Sequence, residues 1–265
     1  MDATEAATEQ DERADAWPRD PTGVAYPPEP WFLGGDLLVA VRLVPVDRLP
    51  AAVADACPSG ARILRLGGRA IVGTALVRYE PGGVLAYDEL LVAVPVRHRG
   101  RLRVVIPQIW VTSRASRAGG RALWGIPKGL ATVRRSYPWN GRLVAEMTAD
   151  PPDAATSAGL ATSGEPSVGA GSNGWHVRVD ATLGARLWPW RMRLPLPTAQ
   201  RLDGRETVSV NEIDAEVRAV RAHWRFDADG PLAWLGASDR PFLQLVLGRA
   251  SIVFGRRVQR RAARL

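Results

Sequence analysis

Lysine is almost absent from this chain: of 35 basic residues among 265, only Lys128 is a lysine and the other 34 are arginines. Cysteine is equally scarce, since Cys57 stands alone, which excludes an internal disulfide and a cysteine-rich zinc site. The three histidines, His98, His176 and His223, lie far apart without an H-x-x-x-H pair, so no metal site is expected. Long apolar runs are missing too. Leu37–Val41 and Leu90–Val96 are strand-length, well short of the roughly 20 residues a spanning helix needs, and no membrane partner is expected. The opening MDATEAATEQDERADA has neither the basic nor the apolar part of a secretory signal, and the expected compartment is cytoplasmic. Neither G-x-x-x-x-G-K-[ST] nor G-x-S-x-G occurs. The one G-x-G-x-x-G match, Gly169–Gly174, lies in low-complexity sequence followed by a strand pattern. It therefore lacks the helix N-terminus that would meet a pyrophosphate.

What is present describes a globular protein. Apolar residues make up 46% and charged residues 23%, and the length suits one sizeable domain or two small ones, either with a real core. The net charge of +8 is unevenly spread: residues 1–30 carry eight acids against Arg13 and Arg19, leaving a strongly basic body. We read 1–30 as a disordered acidic leader passing into a proline-rich extended arm. Residues 257–265 form a basic tail at the arginine-rich end that begins with Arg256. Such a tail could meet nucleic acid, but no basic helix interleaved with aromatics accompanies it, and a solvated tail is expected. The ten tryptophans are scattered from Trp17 to Trp234 and read as core and interface residues.

Hydrophobic periodicity predicts strands over 36–45, 70–79, 85–97 and 102–111, with a hairpin turn at His98-Arg99-Gly100-Arg101. A helical spacing covers 47–57. A second short helix is expected over 112–124, with Thr112 or Ser113 as N-cap and Gly119-Gly120 as a weak point inside it. Further strands are expected at 130–137, 142–149, 175–183, 205–213, 215–226 and 250–254, with a helical turn at 231–235. Residues 151–174 hold no aromatic and read as a disordered insert at the tip of the hairpin joining 142–149 to 175–183. Many short strands and few helices predict an α+β, β-rich domain, either a barrel or a curved sheet carrying one or two helices.

A composition that replaces lysine by arginine wherever only positive charge is needed cannot replace an amine nucleophile, because guanidinium stays protonated. Lys128 sits between Pro127 and Gly129, preceded by Leu123, Trp124 and Ile126. Those apolar side chains can exclude water and favour an uncharged amine, which makes Lys128 a Schiff-base candidate. Arg121 adds a cation that could either repel the ammonium or bind a substrate carboxylate.

The segment Gly119-Gly120-Arg121-Ala122-Leu123-Trp124-Gly125-Ile126-Pro127-Lys128-Gly129-Leu130 resembles the acetoacetate decarboxylase family signature, in which the catalytic lysine follows the proline. Tyr87-Asp88-Glu89 resembles the family's Tyr-x-Glu element, and Pro30-Trp31-Phe32-Leu33-Gly34-Gly35 the start of many members, so the likeness runs over roughly 30–255. It implies a cone-shaped β-barrel with few short helices, forming a single domain over 31–256 that assembles as a homo-oligomer. It also implies Lys128 as the iminium-forming nucleophile and Glu89 as its acid, with Arg121, Tyr87 and Trp124 as substrate contacts. The substrate would be a small carbonyl compound or keto acid, undergoing decarboxylation or aldol and dehydration chemistry. No cofactor is implied, because the iminium is itself the electron sink. The sequence departs from the family pattern where Gly129 stands for a second lysine, and where Gly35, Thr74 and Ala122 stand for polar residues. The alternative reading is a non-catalytic binding or assembly protein on the same scaffold.

Overall fold

The computed structural model describes residues 16–137, 141–149, 174–236 and 240–262. The acidic leader up to residue 15 and the insert over 151–173 lie outside the described residues. Fourteen strands follow in chain order. They are β1 (Trp31–Val44), β2 (Arg62–Ile63), β3 (Arg65–Leu66), β4 (Arg69–Tyr79), β5 (Tyr87–His98), β6 (Arg101–Val111) and β7 (Lys128–Leu130). Next come β8 (Thr132–Ser136), β9 (Arg142–Ala149), β10 (Trp175–Arg186), β11 (Met192–Pro195), β12 (Thr198–Leu202), β13 (Arg205–Phe226) and β14 (Leu243–Ala262). Among the described residues three short α-helices, α1 (Ala51–Ala56), α2 (Arg114–Trp124) and α3 (Ala233–Gly236), and a 3-10 turn at Val46–Arg48 interrupt them. No helix among the described residues is long and apolar enough to cross a membrane.

The cone-shaped barrel implied by the resemblance is not what forms. All strands belong to one sheet whose main path runs β12-β6-β5-β4-β1-β14-β13-β10-β9-β8. β12 also pairs β13, so the sheet folds back at that end, while β10, β9 and β8 continue from β13 as a flank. The length of β13 is the physical reason. Its 22 residues pair with β14, β12, β11 and β10 at successive positions, so one strand serves two regions of sheet. The sequence reading broke this strand at Asp214, where the ladder with β14 shifts register; a bulge bends a strand without ending it. The arginine-rich end read as a tail is strand through Ala262, paired with Arg205. Arg260 there binds the Glu29 carboxylate at 2.7 Å and the Leu123 carbonyl at 3.1 Å.

β1 explains why 37–41 is an unbroken apolar run. Leu38, Ala40 and Val44 face one core and Leu33 and Leu37 the other, and a strand covered on both faces need not alternate with polar residues. The first core closes against β9, β10 and α3 through Met147, Val179 and Leu235, with Leu232 just ahead of the helix. The second, with Trp31, Ile109, Trp124, Ile126 and Ile252, encloses the site described next. The β5–β6 turn falls where the sequence placed it, with Arg99 at φ 51° and Gly100 at φ 76°, the paired left-handed residues that a two-residue hairpin requires.

Candidate active site

β5 presents Tyr87 and Glu89 two residues apart, hence on one face of the sheet. The intervening Asp88 points the other way and pairs with Arg135 at 2.6 Å. Antiparallel register sets Tyr79 at the end of β4 opposite Tyr87, with ring centroids 4.5 Å apart.

Helix α2 supplies the other wall. Its N-terminus is capped by Ser113, whose Oγ accepts the Ser116 N–H at 3.1 Å. It ends at Gly125, left-handed at φ 63°, with the Ile126 N–H donating to the Gly120 carbonyl at 3.1 Å, a glycine C-cap that turns the chain back on itself. The chain then returns as β7, where Lys128 lies parallel-paired with Ile109 of β6.

The two glycines expected to weaken α2 are contact points. A Cβ on Gly119 would stand 2.5 Å from the Trp31 ring, and one on Gly120 2.6 Å from Lys128 Cδ. The lysine stem therefore lies directly on the helix backbone. Gly129 is likewise constrained, since a Cβ there would meet Trp110 at 2.8 Å, so a second lysine cannot stand in this place without moving the indole.

Lys128 is 4% exposed and Glu89 3%. The Lys128 Nζ donates to Glu89 Oε2 at 2.8 Å and to Ser116 Oγ at 2.9 Å, with a longer contact of 3.4 Å to the Tyr87 hydroxyl. Tyr79 donates to the other carboxylate oxygen of Glu89 at 3.3 Å, and Tyr87 approaches Oε2 at 3.5 Å. Burial, reinforced by the Glu89 charge, pushes both tyrosine hydroxyls well above their ordinary value near 10, so they remain donors to the carboxylate. The amine also lies 5.9 Å from the centre of the Trp31 ring and 5.3 Å from that of Tyr87.

These groups open onto a small cavity of about 70 Å³ walled mainly by hydrocarbon and indole, including Trp31, Ile109, Trp124, Ile126 and Phe254. Trp124 packs edge-on against both Trp31 and Phe254. Of the residues singled out from sequence, Lys128, Glu89, Tyr87 and Trp124 line this cavity. Arg121 does not: its guanidinium turns toward Asp203 at 3.9 Å on the outside of α2. Thr74 accepts from the buried Arg42 at 3.4 Å and is no part of the cavity lining. At Gly35 a Cβ would come within 1.8 Å of the Arg78 carbonyl oxygen, so no side chain fits there. Ser116, Tyr79 and Trp31 were not anticipated. Ser116 and Gly120, four residues apart, lie on one face of α2, a signal that becomes readable once Lys128 is known to rest on Gly120.

The site is thus a buried lysine paired with a carboxylate at the wall of an apolar cavity. The chain belongs to the acetoacetate decarboxylase (ADC) family, whose sequence model matches residues 19–162. Among solved structures it is similar to the enduracididine biosynthesis enzyme MppR complexed with pyruvate, at 17% identity, covering 92% of this chain and 94% of that one, TM-score 0.56. MppR is also known complexed with the condensation product of pyruvate and imidazole 4-carboxaldehyde. An acetoacetate decarboxylase from Legionella pneumophila is 16% identical over 91% of each chain, TM-score 0.58. An acetoacetate decarboxylase-like enzyme from Sphingomonas wittichii is 14% identical, covering 89% of this chain and 94% of that one, TM-score 0.52. At these identities the likeness is one of fold. No curated protein matches the sequence.

Proposed function

We propose that this chain is a Schiff-base enzyme acting on a small carbonyl compound, with Lys128 as the nucleophile. One observation carries the reading: the only lysine of the sequence is buried 2.8 Å from a carboxylate at the wall of an apolar cavity. An unneeded lysine in so arginine-rich a chain would have little reason to lie there.

In this mechanism the ammonium passes a proton to Glu89 and the freed amine attacks the substrate carbonyl. The substrate oxygen takes a second proton from the attacking nitrogen to give a carbinolamine, and Glu89 returns its proton to the departing hydroxyl, so water leaves and an iminium remains. The iminium withdraws electrons from a neighbouring bond. Release of CO2 from a β-keto acid and removal of an α-proton to give an enamine both lead on from it, and hydrolysis regenerates the amine. Tyr79 and Tyr87 hold the Glu89 carboxylate, and Ser116 fixes the amine through its hydroxyl. The structures of MppR with pyruvate and with a pyruvate condensation product support carbonyl chemistry on this fold.

Borohydride reduction in the presence of β-keto acids, pyruvate and aldehydes, followed by intact mass, tests the proposal. With a single lysine the assignment is direct. We expect an adduct that is absent from Lys128→Arg. No adduct with any carbonyl compound would favour a non-catalytic binding protein instead.

A further inference from the structure

We infer that the cavity selects uncharged carbonyl compounds, aldehydes or ketones without a carboxylate near the reacting carbon, and therefore that its iminium serves enamine chemistry rather than loss of CO2. The inference rests on the Schiff-base reading and deepens it.

It follows from the charges around the amine. Among the described residues lining the cavity, the only ionisable groups are Lys128, Glu89, Tyr79 and Tyr87. The single cation already faces the single carboxylate at 2.8 Å, and the raised tyrosines stay neutral. The arginines that could answer a second carboxylate are engaged elsewhere. Arg121 faces Asp203, Arg205 donates to the Arg121 and Ala122 carbonyls, and Arg42 packs over Trp224 and Phe226 in the other core.

In the iminium of an α- or β-keto acid, the substrate carboxylate lies within about 4 Å of the nitrogen, given bonds of about 1.5 Å. With Glu89 2.8 Å from that nitrogen, two carboxylates would share one cation in a water-poor cavity, where like charges strongly disfavour one another's ionised form. An uncharged substrate avoids this. Its iminium simply replaces the ammonium as the partner of Glu89.

Without a carboxylate on the substrate there is no CO2 to expel. The step left to the iminium is transfer of an α-proton to the Glu89 carboxylate, with the C–H electron pair forming the enamine double bond. The enamine carbon then attacks a second carbonyl compound, an aldehyde, whose oxygen takes the proton from Glu89. A new C–C bond results, and water hydrolyses the iminium to release the hydroxy-carbonyl product. Read in reverse, the same steps cleave a β-hydroxy carbonyl compound.

Borohydride trapping of the full chain with matched probe pairs tests this: methyl levulinate against levulinate, and methyl pyruvate against pyruvate, each pair differing by a methyl ester in place of the carboxylate, with butan-2-one against acetoacetate as a further pair. Intact mass follows the Lys128 adduct, with Lys128→Arg run in parallel to subtract reaction at the N-terminus. We expect the uncharged member of each pair to half-saturate trapping at a concentration at least tenfold lower. Equal or preferred trapping of the carboxylate member of any pair at Lys128 overturns the inference while leaving the Schiff-base reading intact. Absence of a Lys128 adduct with every one of the probes overturns both.

Discussion

The side chain of Lys128 lies on the backbone of Gly120, so closely that a Cβ at position 120 would stand 2.6 Å from Cδ and 2.7 Å from Cε. Gly120→Ala therefore pushes the amine away from Glu89 and Ser116. Overpacking a core costs about 1–3 kcal/mol, and the better helix propensity of alanine returns about 1 kcal/mol, so the variant folds. Its activity falls by on the order of 100-fold, the penalty for misplacing a reacting group by about an ångström. Borohydride trapping rates beside a thermal melt check this; a folded variant that traps at the native rate would show that the contact does not position the amine.

The buried pair also makes a thermodynamic prediction. Removing one partner of a buried ion pair costs about 3–5 kcal/mol, because the other is left uncompensated. Lys128→Met and Glu89→Gln should each destabilise by that order. The double variant should be more stable than the sum of the two losses requires, by well over 1 kcal/mol. Urea unfolding of the four proteins measures the coupling, and strict additivity would mean that the two groups do not interact as the 2.8 Å contact implies.

Stability should fall on the alkaline side. Burial, with the Glu89 charge second, raises the hydroxyls of Tyr79 and Tyr87 well above their ordinary value near 10. Below pH 10 both folded and unfolded chains keep these protons, and the stabilisation is fully present. As pH climbs past 10 only the unfolded chain releases them, and stability is lost at about 1.4 kcal/mol per pH unit for each tyrosine. Tyr79→Phe should flatten that limb by one tyrosine's share. An unchanged slope in denaturation curves between pH 9 and 11 contradicts the assignment.

Ser116 is fully buried and accepts from the Lys128 Nζ at 2.9 Å. Its own N–H is already satisfied by Ser113, so Ser116→Ala keeps the helix cap. Losing a hydrogen bond to a charged group, worth about 1.5–3 kcal/mol, should slow adduct formation about tenfold or more without changing the final extent of trapping. A native trapping rate in this variant would leave Ser116 a packing residue only.

Parts of the site were readable in the linear chain. Lys128 stood out as the only lysine beside 34 arginines, and Glu89 through the resemblance of Tyr87-Asp88-Glu89 to the family's Tyr-x-Glu element. Arg121 misled for a geometric reason: one residue past Gly120 on a helix is a rotation of about 100°, which carries it from the cavity side to Asp203 outside. Tyr79 becomes a site residue only through its register opposite Tyr87. The short β11 and β12 were missed because Met192–Pro195 and Thr198–Leu202 owe their strand form to pairing along β13, not to any run of strand-forming residues.

By itself, then, the sequence determined a β-rich chain, the hairpin turn at Arg99-Gly100, the helix preceding Lys128 and the position of the only lysine. These depend on local spacing, on the left-handed residues a turn needs, and on the chemistry of single side chains. The tertiary structure decided that Lys128 meets a carboxylate 39 residues away in sequence, that Arg121 does not join them, and that the sheet branches from β13 instead of closing as a cone. Each of these outcomes depends on register between distant strands and on which faces both cores cover. Those interactions arise only when the chain closes on itself.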